Sequence, residues 1–207
     1  MGKKTLFSAK KMTGIAVLLA LVVVLQAALG SVQIGVVQLN FTLIPIVLGA
    51  ILYGAGVGAF LGFACGVVVL VQVIMGLSPF YTVIWTNTPF VTVLTCIVKT
   101  TVAGFVAGWL FTWISKKNVY VGLFVASGTV PIINTALFIV GCLCMNKSIT
   151  AFQGMLPDFA GMNVLVFILV GLVTFNFFIE FAINLIISPA LHRVIGIVDK
   201  KYQRKRL

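Results

Sequence analysis

Residues 12–98 carry no charged side chain, and their apolar residues run in long blocks separated by short links bearing Gln, Asn, Gly or Pro. A block of about 20 apolar residues matches the length needed to cross a bilayer core as a helix. Met12–Leu29 predicts the first helix, over 12–29. Its flank Ala27-Ala28-Leu29-Gly30-Ser31 resembles a signal-peptide cleavage site. The run is longer than a signal h-region of about 7–15 residues, so it reads as a transmembrane helix. Gly30–Asn40 is a polar-leaning link with Ser31, Gln33, Gln38 and Asn40. Phe41–Ile74 is too long for one span, and Tyr53-Gly54-Ala55-Gly56 supplies a break, which gives helices over 41–53 and 55–75. Gly76–Pro89 reads as a loop punctuated by Pro79 and Pro89. Three further helices are expected over 90–114, 120–145 and 162–195, with Pro131 kinking the second and Pro189 bending the end of the third. Asn146–Gly161 reads as a loop holding Pro157 and Asp158. The expected fold class is an all-α integral membrane protein: one domain over residues 1–207, with six transmembrane helices.

Composition agrees. Of 207 residues, 61% are hydrophobic and 8% charged, against about 25% charged in a soluble domain. The net charge of +11 changes the picture only through its distribution. Lys3, Lys4, Lys10 and Lys11 precede the first apolar run, and Lys116 and Lys117 lie between runs. Arg193, Lys200, Lys201, Arg204, Lys205 and Arg206 follow the last. Lysine and arginine beside apolar spans mark the cytoplasmic side, so both termini are expected inside. The 30–40, 76–89 and 146–161 links are then external. Such basic flanks meet anionic lipid, and no nucleic-acid partner is expected. The location is a multi-pass protein of the cell membrane.

Little chemistry is available for catalysis. The acidic residues are Asp158, Glu180 and Asp199, and the single histidine is His192, at the interfacial end of the last helix. They form no metal-ligand spacing, no acid pair and no phosphate loop. No enzyme activity, cofactor or metal is expected, and any ATP-driven transport needs an ATPase on another subunit. Cys65, Cys96, Cys142 and Cys144 form no CxxC pair and read as buried, inert thiols.

Two patterns remain. Small residues recur four apart, which places them on one helix face: Gly54, Gly58, Gly62 and Gly66; Gly104 and Gly108; Ala16 and Ala20. In lipid, small residues permit close helix packing, either within the chain or against another membrane subunit. The second pattern is polar. Lys99 interrupts an apolar run, and an intramembrane lysine is by default a functional-site candidate. It sits ~15 Å below Pro89, and Asn134 sits ~16 Å from Met145, at ~1.5 Å of helix rise per residue. Asn176, Glu180 and Asn184 form a polar stripe on the last helix. Two readings of Lys99 stay open: an ion pair with Glu180 that holds helices together, or a cation facing a bound anion. Tyr81, Trp85 and Asn87 bring aromatic and amide groups to the mouth of the Lys99 helix, either as a lid or as an interface belt.

The stretch Leu43-Ile44-Pro45-Ile46-Val47-Leu48-Gly49-Ala50-Ile51-Leu52-Tyr53-Gly54-Ala55-Gly56-Val57-Gly58-Ala59-Phe60-Leu61-Gly62 resembles the helix 2–3 segment of the substrate-binding S components of energy-coupling factor (ECF) vitamin transporters. Ala16-xxx-Ala20 is similar to that family's small-residue motif on helix 1, and Lys99 to Gly108 to its basic residue followed by Gly-xxx-Gly. The whole chain resembles most closely the pantothenate-specific branch. The resemblance implies that a vitamin binds from outside, in a pocket between helices 4 to 6 closed by loops 1 and 3. It implies that Lys99, Asn134, Asn163, Asn176, Trp85 and Asn40 lie in the matching segments. The S component then docks through Ala16 and Ala20, with Gly54, Gly58 and Gly62 as further docking candidates, on a transmembrane coupling subunit carrying two ATPases. It topples and releases the vitamin inside. Pyridoxine or hydroxymethylpyrimidine are alternative substrates, since Trp85 and Tyr81 can stack on a ring. A homo-oligomeric channel or structural membrane subunit built on the glycine ladders is the alternative of another class.

Overall fold

A computed structural model describes residues 9–29, 33–34 and 37–203. The basic residues Lys3, Lys4, Arg204, Lys205 and Arg206 and the linker residues Gly30 and Ser31 lie outside that range, as do the side chains of Lys10, Gln33, His192, Lys200 and Lys201. The described chain is helical, with α1 at Ala9–Leu29, α2 at Leu43–Tyr53, α3 at Ala55–Ile74, α4 at Pro79–Asn87 and α5 at Pro89–Ile114. There follow α6 at Val119–Cys144, α7 at Asn146–Gln153, α8 at Val164–Val166 and α9 at Thr174–Gln203. Between α1 and α2, β1 (Gln33–Ile34) pairs antiparallel with β2 (Val37–Gln38), with Gln33 opposite Gln38.

Five helical stretches are long and apolar enough to cross a membrane: Lys11–Ala28, Ala55–Ile74, Pro89–Ile114, Val119–Cys144 and Val164–Ala190. The sixth expected span, α2, has 11 residues. At ~1.5 Å per residue it is ~16 Å long, about half of a hydrocarbon core of ~30 Å. It is buried on most sides through Leu43, Ile46, Val47, Ala50 and Ile51. Gly54 ends it with φ +96°, a backbone conformation that side chains disfavour, and α3 begins at the next residue.

The two long links expected to be external are not plain loops. Gly76–Pro89 contains α4, started by Ser78, whose Oγ accepts from the Tyr81 N–H at 3.2 Å, with Pro79 in the first turn. Sequence reading treats Pro79 as a breaker, but at the first helical position its missing N–H costs nothing. Asn146–Gly161 contains α7. The turn after it is tied down by Gln153, whose Nε2 donates to the carbonyls of Phe159 and Met162, both at 2.8 Å. Phe80 of α4 lies 5.2 Å from Phe152 of α7, and Phe167 lies 5.1 Å from Phe159, so apolar contacts seat this end of the molecule. Phe167 opens a π-helical stretch, Phe167–Val173, between α8 and α9.

The glycine ladders are spent inside the molecule. A Cβ on Gly66 would lie 2.6 Å from the Cys96 carbonyl oxygen. One on Gly62 would lie 2.6 Å from the Thr100 carbonyl carbon, and one on Gly104 2.7 Å from the Gly58 carbonyl carbon. Backbone meets backbone along this α3–α5 seam, and Thr100 Oγ1 donates across it to the Gly62 carbonyl at 2.7 Å. Gly58 and Gly62 are therefore buried and present no surface for another subunit, which corrects their assignment as docking residues. Gly54 serves the α2–α3 turn. Ala16 and Ala20 on α1 are exposed. Cys144 is also exposed, unlike buried Cys65, Cys96 and Cys142, because it falls at the last residue of α6.

Candidate functional site

Thr100, Ala103, Gly104 and Ala107 press one face of α5 on α3. Cys96 lies on that same face and Lys99 at its edge, and both line cavities. The first chamber, about 360 Å³ with its mouth included, lies among Lys99, Asn134, Asn176, Glu180 and Asn40, with Leu172 and Val173 of the π-helical stretch on its wall. The second, about 540 Å³ with open space at its mouth included, is bordered by Phe80, Tyr81 and Ile84 of α4, Val69 of α3, Cys96 of α5 and Met145. Gln38, Asn40, Lys99 and Phe138 border both. The Lys99 Nζ sits 5.0 Å from the centroid of the Phe138 ring, in cation–π contact.

The stripe on α9 works as its spacing suggests. Asn176 and Glu180 line the first chamber, and Asn184 turns its Nδ2 back to the Glu180 carbonyl at 2.8 Å. Among the described residues Lys99 and Glu180 form no ion pair. Glu180 instead accepts the backbone N–H of Asn40 at 2.8 Å through Oε1. Lys99 is half-buried, with an aromatic face as its recorded neighbour. Asn134 is 5% exposed, and its Oδ1 has no hydrogen-bond partner. A buried amide oxygen left so costs about 1–3 kcal/mol. The chamber thus holds a cation and an acid that are not in ion-pair contact, and an acceptor without a donor.

Asn40 owes its position to a polar relay. Thr42 Oγ1 donates to Asn40 Oδ1 and contacts Cys65 Sγ at 2.9 Å, and Cys65 reaches Gln26. Gln26 and Gln72 exchange bonds at 2.9 Å, Nε2 of Gln26 to Oε1 of Gln72 and Nε2 of Gln72 to the Gln26 carbonyl. Tyr81 OH donates to Gln38 Oε1 at 2.8 Å, and burial pushes its phenol above the ordinary range, so it serves as a neutral donor.

Three expected site residues lie elsewhere. Asn87 is exposed and returns its Nδ2 to the Val83 carbonyl at 2.9 Å within α4. Asn163 is exposed and caps α8 by accepting from the Leu165 N–H at 2.9 Å. Trp85 packs half-buried on the core and does not line either chamber. Gln26, Gln38, Thr92, Thr95, Thr135 and Phe138 do line them and were not anticipated. Gln26 and Gln72 had a legible signal, each being the lone amide in an apolar helix.

Long apolar helices enclosing a chamber of uncompensated polar groups define an integral membrane protein that holds a small polar solute. A family model for the ECF transporter substrate-specific component matches residues 10–192. The chain belongs to that family, whose members are membrane-embedded substrate-binding subunits of transporters and not enzymes. No curated protein sequence matches the chain.

Proposed function

We propose that this chain captures a small anionic vitamin, with pantothenate as the compound its first chamber fits best. The reading rests on one observation: Lys99 lines the chamber out of ion-pair contact with Glu180, and Asn134 on the same lining has an unpartnered oxygen. A carboxylate answers the lysine. The amide N–H and hydroxyls of pantothenate answer Asn134 Oδ1 and the Glu180 carboxylate. Both termini lie inside, the chamber opens outward, and release occurs inside after docking on a transmembrane coupling subunit with two ATPases. The basic flanks and the Lys147- and Asp158-bearing external links support that orientation. Pyridoxine or hydroxymethylpyrimidine is a second reading, favoured by Phe80, Tyr81 and Phe138 around the chambers. A channel built on the glycine ladders has less support, because those ladders are occupied by the α3–α5 seam.

The exposed Ala16 and Ala20 supply the docking face. Ala16→Trp and Ala20→Trp should each lower vitamin uptake at least about tenfold in cells carrying the ATPase module, because a bulky ring prevents close helix approach. Vitamin affinity of the purified variants should match wild type. Normal uptake by both variants removes the docking role of α1.

A further inference from the structure

The two chambers differ in what their polar groups still seek. In the first, Lys99 is out of ion-pair contact with Glu180 and Asn134 Oδ1 has no donor. In the second, the polar side chains beyond the shared rim of Asn40 and Lys99 are already engaged. Thr92 Oγ1 donates to the carbonyls of Ile84 and Thr88 at 3.0 and 2.8 Å, and Thr95 Oγ1 to that of Val91 at 2.8 Å. Tyr81 OH is held by Gln38, and Gln26 is paired with Gln72. What the second chamber leaves for a ligand is carbon surface, from Phe80, Ile84, Val69 and Met145. Lys99 and Phe138 border both spaces, so a ligand anchored at the lysine lies beside both.

We infer that the site takes a bipartite ligand: an anionic, hydrogen-bonding head in the first chamber against Lys99 and Asn134, and an uncharged ring or branched alkyl tail in the second, beside Phe80 and Ile84. This deepens the anion-binding reading and rests on it. A hydroxyl or charge carried past Lys99 to the Phe80–Ile84 wall of the second chamber meets no free partner and loses its hydration, whereas carbon gains burial. Specificity for the head and affinity for the tail are thus divided between two walls of one cavity.

A homologous series of N-acyl-β-alanines tests this. All members keep the carboxylate and amide of pantothenate while the acyl group grows from acetyl to pivaloyl to benzoyl. Calorimetry on the purified wild-type chain should show affinity rising along the series, with benzoyl at least about tenfold tighter than acetyl. In Ile84→Phe, whose larger side chain fills the second chamber, the benzoyl-to-acetyl ratio should fall towards one. Thermal melting in detergent confirms that this variant is folded. If it does not fold, the wild-type series alone decides. A flat wild-type series, or an unchanged ratio in folded Ile84→Phe, overturns the two-chamber inference and leaves the anion site standing. Equal binding of pantothenate and of pantothenol, in which an alcohol replaces the carboxylate, overturns the anion reading itself, whatever the tail does.

Discussion

Lys99→Ala should weaken pantothenate binding by about 10- to 100-fold, while exposed Lys147→Ala leaves it unchanged. A hydrogen bond to a charged group contributes about 1.5–3 kcal/mol, and each 1.4 kcal/mol is about tenfold in affinity. Lys99 is the only cation among the described residues that line the first chamber, so the alanine variant leaves a bound carboxylate without a positive partner. Lys99→Met, which keeps most of the side-chain length without the charge, should behave as alanine does. Calorimetry on the three purified variants reads the result directly, and equal affinity of wild type and Lys99→Ala refutes a carboxylate at this position.

Gly62→Val should be the most damaging single change in the membrane core. Its Cβ alone would lie 2.6 Å from the Thr100 carbonyl carbon and 2.9 Å from the Thr101 nitrogen. Both neighbours are backbone, so no side chain can swing aside and the two helices must part. Overpacking of this kind typically costs about 1–3 kcal/mol and more where the backbone is forced. Separation would also remove the Thr100–Gly62 hydrogen bond. Loss of the folded protein on detergent extraction, or a large fall in melting temperature, is expected. Gly56→Ala is the matched control: it is exposed on the same helix, and nothing lies within 4 Å of an added Cβ. Alanine there should be neutral or slightly stabilising, since it is the better helix former. Equal melting of Gly62→Val and Gly56→Ala would mean that α3 and α5 do not meet along the glycine face.

Much of this architecture could be read directly, because lipid makes the code simple. Uncharged length marked the spans, and Gly54 marked the break that its positive φ then required. Lys99, Asn134, Asn176 and Glu180 were found because a polar group in an apolar helix needs a reason. Depth paired Lys99 with Asn134, and helical spacing put Asn176 and Glu180 on one face; the chamber brings the two pairs together. What escaped reading has physical causes. Asn87 and Asn163 looked like pocket amides but satisfy local backbone groups, and spacing does not separate a cap from a ligand contact. Phe138 is one of 17 phenylalanines, so type alone could not distinguish it from lipid-facing neighbours. The glycine ladders were ambiguous because a smooth helix face fits a partner helix equally well in the same chain or in another. Only the position of α5 resolves it. The second chamber depends on α4, hidden in a segment whose two prolines suggested loop.

The relay from Gln72 through Gln26, Cys65 and Thr42 to Asn40 ends at Glu180. It therefore gives the binding cavity a mechanical connection to α1, the helix that carries Ala16 and Ala20. Gln26 lies on that helix, so tilting α1 against α3 strains the same bonds that seat Asn40 at the chamber rim. The chamber rim and the helix that carries Ala16 and Ala20 are thus joined by one continuous chain of contacts, so under the docking proposed above a partner that tilts α1 would load the bonds that seat Asn40, and by reciprocity a solute that fixes Asn40 would bias the tilt of α1.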